Sequence, residues 1–226
     1  MDTAVDLNEL RGARGFASTL KWEGGGGGFL LGVREHGASL YTTDGDAYHF
    51  DLEGRLRRAR IEWERGKAVD YLRGLDGRVL RKTRIAGRTG ADTDGGVDRP
   101  RGPAECREVF SRTHRAALEA LESLPRGTGR ERDSPRDILE RCAAFDPPRL
   151  EDEASRFLEA YRPLGVLPPA RYASLVLQAT EGCAYNACAF CDLYAGRPFR
   201  AKTPEELREH VRRVKAFLGR ALPLRK

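Results

Sequence analysis

Between Phe29 and about Ile85, short apolar stretches are broken at regular intervals by turn residues, the pattern of strands rather than helices. Phe29 to Val33 and Ala38 to Tyr41 read as strands. The stretch Tyr48 to Leu56 is echoed by Tyr71 to Val79. In each echo an acid–glycine pair, Glu53-Gly54 or Asp76-Gly77, precedes an arginine and an aliphatic residue. Glycine supplies the positive φ of a tight hairpin turn, and two such units are too few for a solenoid. Residues 29–86 are therefore expected to form a small antiparallel β-domain. Residues 1–28 read as a leader ending in a glycine-rich loop. The run Gly24 to Gly28 is followed by Phe29-Leu30 and not by the Gly-Lys-Ser/Thr ending of a phosphate-binding loop.

Residues 87–102 carry almost no apolar side chains and read as a linker. Helical spacing begins after Pro103, with Cys106, Phe110, Ala117, Leu118, Leu121 and Leu124 expected on one face. A second helix is expected to start at Ser134, with Pro135 at its first position and Asp137 in its first turn, burying Ile138, Leu139, Cys142 and Phe145. A third is expected from about Leu150 to Tyr161. On this reading the helical segment spans 103–166, Cys106 and Cys142 are small core hydrophobes, and His114 lies at the surface.

The pattern changes again over 170–226. Tyr172 to Thr180 reads as a strand, and its run Leu175-Val176-Leu177 suits a parallel strand buried on both faces. A cysteine-bearing loop follows, then Thr203-Pro204-Glu205-Glu206, which has the form of a capping box with proline at the first helical position. Leu207, Val211, Val214 and Leu218 continue at helical spacing. Strand, loop and helix in this order look like the first βα unit of a parallel α/β barrel, with the cysteines at the carboxyl end of the strand, where such barrels carry their chemistry. The expected fold class is thus α/β with a separate β-rich N-terminal region, a helical segment and a partial barrel.

Composition narrows the functional classes. The 226 residues suffice for one or two domains, and 40 % hydrophobic with 33 % charged residues suits a globular chain. No apolar run reaches the roughly 18 residues of a membrane span. The acidic start Met1-Asp2-Thr3-Ala4-Val5-Asp6 is not a secretory signal, so a cytoplasmic protein without a membrane partner is expected. The net charge is +6, but only six of the 40 basic residues are lysines, and the arginines are spread along the chain. No stretch interleaves basic with aromatic residues, so nucleic acid is not expected as a partner. Five cysteines, an odd number in a chain without a secretion signal, argue against a disulfide framework. Cys183, Cys188 and Cys191 fall close together and point to a metal.

The spacing C-x4-C-x2-C has a chemical logic. A [4Fe–4S] cluster usually takes four thiolates, and three from one short loop leave one iron open to a small molecule. Phe190, just before the last cysteine, is placed to shield a cluster from water. The string from Thr180 to Tyr194, T-E-G-C-A-Y-N-A-C-A-F-C-D-L-Y, resembles the cluster motif of the radical S-adenosylmethionine (radical SAM) family. That family's commonest spacing is C-x3-C-x2-C with an aromatic before the third cysteine; here the first gap is one residue longer.

The resemblance implies a [4Fe–4S] cluster held by Cys183, Cys188 and Cys191 beside Phe190. It also implies S-adenosylmethionine chelated by the open iron and a 5′-deoxyadenosyl radical that takes hydrogen from a substrate. It covers residues 170–226 only, against the ~250 of a full eight-fold barrel. The expectation is a truncated catalytic domain, inactive alone, with no catalytic residue to carry over. The implied partners are a complementing C-terminal barrel chain, an electron donor and a small-molecule or protein substrate. The competing readings are a zinc-binding module in which His210 joins the three cysteines, and a scaffold that binds a partner through its β-domain or arginine-rich surface.

Overall fold

The structure is a computed structural model that describes residues 18–64, 67–85, 95–98, 102–129, 131–162, 175–190, 194 and 196–222. It is a mixed α and β protein, and the chain divides into two compact units, Met1–Glu153 and Ala154–Lys226.

The first unit is built on an eight-stranded antiparallel sheet whose strands lie in chain order: β1 (Ser18–Gly24), β2 (Gly27–Arg34), β3 (Gly37–Thr42), β4 (Ala47–Phe50), β5 (Leu56–Glu64), β6 (Lys67–Arg73), β7 (Val79–Ile85) and β8 (Gly95–Asp98). The sheet begins earlier than the apolar pattern suggests. The glycine run is split between the ends of β1 and β2, with Gly24 paired to Gly27 across a two-residue turn. Trp22 is the anchor: it is buried, stacks on Phe29 at 5.5 Å and donates its indole N–H to Ser123 Oγ at 3.0 Å. The two echoed turns are as the acid–glycine pairs suggest. Gly54 and Gly77 take φ of 97° and 78°, and each donates its N–H three residues back, to Asp51 and Gly74. β8 lies inside the stretch read as a linker; residues 86–94 and 99–101 fall outside the described set.

Three helices complete the unit: α1 (Pro103–Glu122), α2 (Pro135–Ala143) and the beginning of α3 (Pro147–Ala160), within which the two units divide. Side chains of α1 and α2 share one core with Leu31, Leu40, Tyr48, Phe50, Leu56 and Ala59 of the sheet, so strands and helices form one body and not two modules. On α1 the buried face is Val109, Phe110, Thr113, Ala116, Ala117 and Ala120, and Leu118 is exposed. The small alanines let the helix lie close to the sheet. α2 is capped as expected, with Ser134 Oγ accepting from the Asp137 N–H at 3.2 Å, and it buries Ile138, Leu139 and Cys142, with Phe145 beyond its end. His114 is not a plain surface residue: its Nε2 lies 2.9 Å from the carbonyl oxygen of Ala143 and ties α1 to the end of α2.

The second unit comprises the end of α3, the short strands β9 (Thr180–Glu181) and β10 (Arg200–Ala201), and α4 (Pro204–Leu218). Residues 172–174 of the expected strand fall outside the described set. Leu175 to Gln178 form no ladder, and Leu177 is 45 % exposed, so the apolar run is not buried on both faces. β9 pairs antiparallel with β10, Glu181 opposite Arg200 and Thr180 opposite Ala201. Among the described residues this unit holds no parallel strand pair. Its core is aromatic: Phe157 stacks on Tyr161 at 4.8 Å and meets Phe217 edge-on at 5.8 Å, with Val214 and Leu218 buried beside them. None of the described helices is long and apolar enough to cross a membrane.

Candidate metal centre

The described residues between β9 and β10 carry the cysteines and are clasped at their root by the pairing of these two strands. The Lys202 N–H donates to the Ala179 carbonyl at 3.0 Å and extends that ladder by one bond. Gly182 sits at φ 71°, and a Cβ there would lie 2.5 Å from the Pro198 carbonyl oxygen, so the two arms approach as closely as they do only with glycine at this point. Asn186, at φ 39°, ties the arms again through its side-chain amide, 3.4 Å from the Arg197 carbonyl oxygen.

Charge fastens the root to α4. Glu181 forms an ion pair with Lys202 Nζ at 3.1 Å and lies 3.4 Å from Arg200, while Arg200 also pairs with Glu206. The adjacent Lys202 ammonium holds the Glu181 carboxyl below its ordinary range, against the opposing effect of burial. Glu206 closes the capping box read from the sequence. Thr203 Oγ1 accepts from the Glu206 N–H at 3.2 Å, and Glu206 Oε2 accepts from the Thr203 N–H at 2.8 Å.

Two of the three expected thiols fall on described residues, and both are free and half-buried on this loop. The Cys183 thiol is held below its ordinary range, first by a hydrogen bond from the Asn186 backbone and then by one from Tyr185. Backbone donors aimed at a sulfur favour its thiolate, the form that binds metals. Cys191 lies outside the described residues. Phe190 is 92 % exposed on this loop. Among the described residues, no group of three or more His, Cys, Asp or Glu side chains converges as a metal centre.

His210 is not a spare ligand. It is buried on α4, its Nε2 accepts the Gln178 N–H at 3.0 Å, and its ring meets Tyr161 edge-on at 5.5 Å. A further hydrogen bond joins it to the Ala160 backbone, while burial and then the Lys202 charge push its pKa down. With its Nε2 accepting a backbone N–H and its ring packed on Tyr161, His210 is engaged within its own unit in this structure. The buried face of α4 is accordingly His210, Val214, Phe217 and Leu218, rotated from the Leu207–Val211 line because the polar ring packs inward.

Sequence reasoning missed what surrounds that ring. Gln178 accepts from the Arg162 N–H and donates to its carbonyl, both at 3.0 Å, and Tyr161 donates its hydroxyl to the Val176 carbonyl at 3.1 Å. Beside them opens a hollow of about 500 Å³ whose lining includes Gln178, Glu181, Lys202, Glu206 and His210. Cys106 and Cys142 lie in the other unit, Cys142 within its core and Cys106 packed against it. No protein-family model, curated protein or solved structure matches the chain.

Proposed function

We propose that Cys183, Cys188 and Cys191 hold a [4Fe–4S] cluster, and that the loop is the cluster- and S-adenosylmethionine-binding part of a radical SAM enzyme. The observation that carries this reading is the C-x4-C-x2-C triad set in a loop whose arms are pinned by Gly182, Asn186 and the β9–β10 clasp. The donor set fits the group. Cys183 and Cys188 are free and reachable, and Cys183 already carries two backbone hydrogen bonds of the kind that steady a ligating thiolate. When bound, such a cluster supplies an electron to S-adenosylmethionine and so a 5′-deoxyadenosyl radical for hydrogen abstraction.

The chain's own residues do the positioning. Gly182 permits the tight return of the loop, the backbone of Tyr185 and Asn186 orients the Cys183 sulfur, and the Glu181–Arg200–Glu206 bridge fixes the loop root on the first turn of α4. On this reading β9, the loop and α4 are the first strand–loop–helix unit of a barrel. A reducing, cytoplasmic setting suits thiols that must stay unpaired, and an electron donor and a hydrogen-bearing substrate are the implied partners.

The test is anaerobic reconstitution of the full chain with iron and sulfide. A brown protein absorbing broadly near ~400 nm is expected, and the band should vanish on alanine substitution of Cys183, Cys188 or Cys191. A colourless protein that takes up zinc in place of iron would refute the assignment.

A further inference from the structure

The first unit holds a cluster of charge in which the cations outnumber their partners. Arg55 is 1 % exposed, pairs with Glu153 and lies 3.3 Å from Asp51. Arg73, 3 % exposed, gives one N–H to the Leu150 carbonyl oxygen at 2.7 Å, but its Nε and Nη1 are buried without any hydrogen-bond partner. Nη1 of Arg57 is in the same condition.

The sheet register puts these two arginines together. Arg58 is opposite Leu72, so the next pair along β5 and β6 is Arg57 facing Arg73. Like charges directly opposite on neighbouring strands destabilise a sheet. Their mutual repulsion is one of the causes, after burial, that hold the Arg73 guanidinium down to about 10, and Arg55 adds to it. Around the three guanidiniums, among the described residues, stand Asp51, Glu153 and Asp76, and Asp76 is shared between Arg57 and a fourth cation, the exposed Arg78. Burial pushes the Asp51 carboxyl up, which weakens the counter-charge further. A positively charged site with several unused buried N–H groups is the complement of an anion.

We infer that Arg57 and Arg73, backed by Arg55, form a binding site for a phosphate-type oxyanion at the β5–β6 end of the sheet. Arg57 is only partly buried, so part of its side chain reaches solvent. The unused donors come from two side chains and from different edges of the Arg73 guanidinium. That arrangement suits a tetrahedral anion, whose oxygens spread in three dimensions, better than a planar carboxylate. The site lies in the unit that does not carry the cysteine loop and stands whether or not that loop holds a cluster.

Thermal unfolding and calorimetric titration of the full chain with inorganic phosphate, at ionic strength matched with chloride, test the inference. Phosphate at ten times its Kd should raise Tm by roughly 4 °C over chloride. Arg57→Gln, at the half-open edge of the site, should abolish the rise and the calorimetric signal. Arg126→Gln, which removes an exposed arginine elsewhere, should preserve both. If Arg73→Gln still folds, it should behave as Arg57→Gln; the Arg57 variant decides the matter if it does not. A phosphomonoester that stabilises as well as free phosphate would assign the site to the phosphoryl group of a larger ligand. Equal stabilisation of wild type and Arg57→Gln, or none in the wild type, would overturn the inference and leave water as the partner of these groups.

Discussion

Cys142 and Cys183 place one side chain in opposite surroundings. Cys142 is 2 % exposed in the core between sheet and helices, and burial pushes its thiol far above the ordinary range. Cys106, packed against the same core, is pushed up by burial and by the nearby charges of Glu105 and Glu151. Cys183 stands at a surface loop, where the backbone of Asn186 and Tyr185 draws its thiol down. A metal takes the thiolate, so what matters about a cysteine is how its surroundings treat the charged form. The sheet-and-helix unit suppresses ionisation of Cys142 and Cys106, and the loop backbone promotes that of Cys183.

The contrast can be broken most severely from the interior. Glu153→Ala removes the fully buried carboxylate that pairs with Arg55. It should cost about 3 kcal/mol, read as a fall in denaturation midpoint at unchanged m-value. A loss no greater than that of a surface substitution would show that this interior is more open to water than its burial implies.

Cys142→Ser should cost less, about 1–2 kcal/mol, because a hydroxyl replaces a thiol in the core that includes Leu139 and Phe145. Cys183→Ser should leave Tm unchanged in the metal-free chain.

The smallest effect is on rates. Alkylation of Cys183 should reach its half-maximal rate at lower pH than in the unfolded chain, and that of Cys106 at higher pH. The signs follow from the shifts. The lowered Cys183 contributes stability above its unfolded pKa and loses it as pH falls through the folded value. The raised Cys142 contributes fully below its unfolded pKa and loses its contribution as pH climbs towards the folded one. Identical pH midpoints for Cys183 and Cys106, mapped by mass spectrometry, would remove the contrast.

What was legible in the sequence was what is decided locally. The Thr203–Glu206 capping box, the Ser134 cap, the glycine turns at Gly54 and Gly77 and the buried face of α2 each depend on a few neighbouring residues and appear where expected. β1 was hidden because a glycine run reads as a loop, and only its pairing with β2 makes it a strand; Trp22, five residues before Gly27, was the available signal. β8 was hidden in the same way, among glycine and aspartate. The rotation of α4 turned on His210, a polar ring that packs inward because Gln178 and Tyr161, distant in sequence, supply its partners. Of the candidate site, the cysteine spacing was readable. The backbone hydrogen bonds that select Cys183, and the exposure of Phe190, are properties of the folded loop.

Iron and acid-labile sulfide per chain, measured after anaerobic reconstitution, test the central contrast most directly. About four of each are expected for the wild type and for Cys106→Ala, and none for the chain with Cys183, Cys188 and Cys191 all changed to alanine. Full iron content in that triple variant, or its loss on changing Cys106 alone, would contradict the assignment of the cluster to the loop.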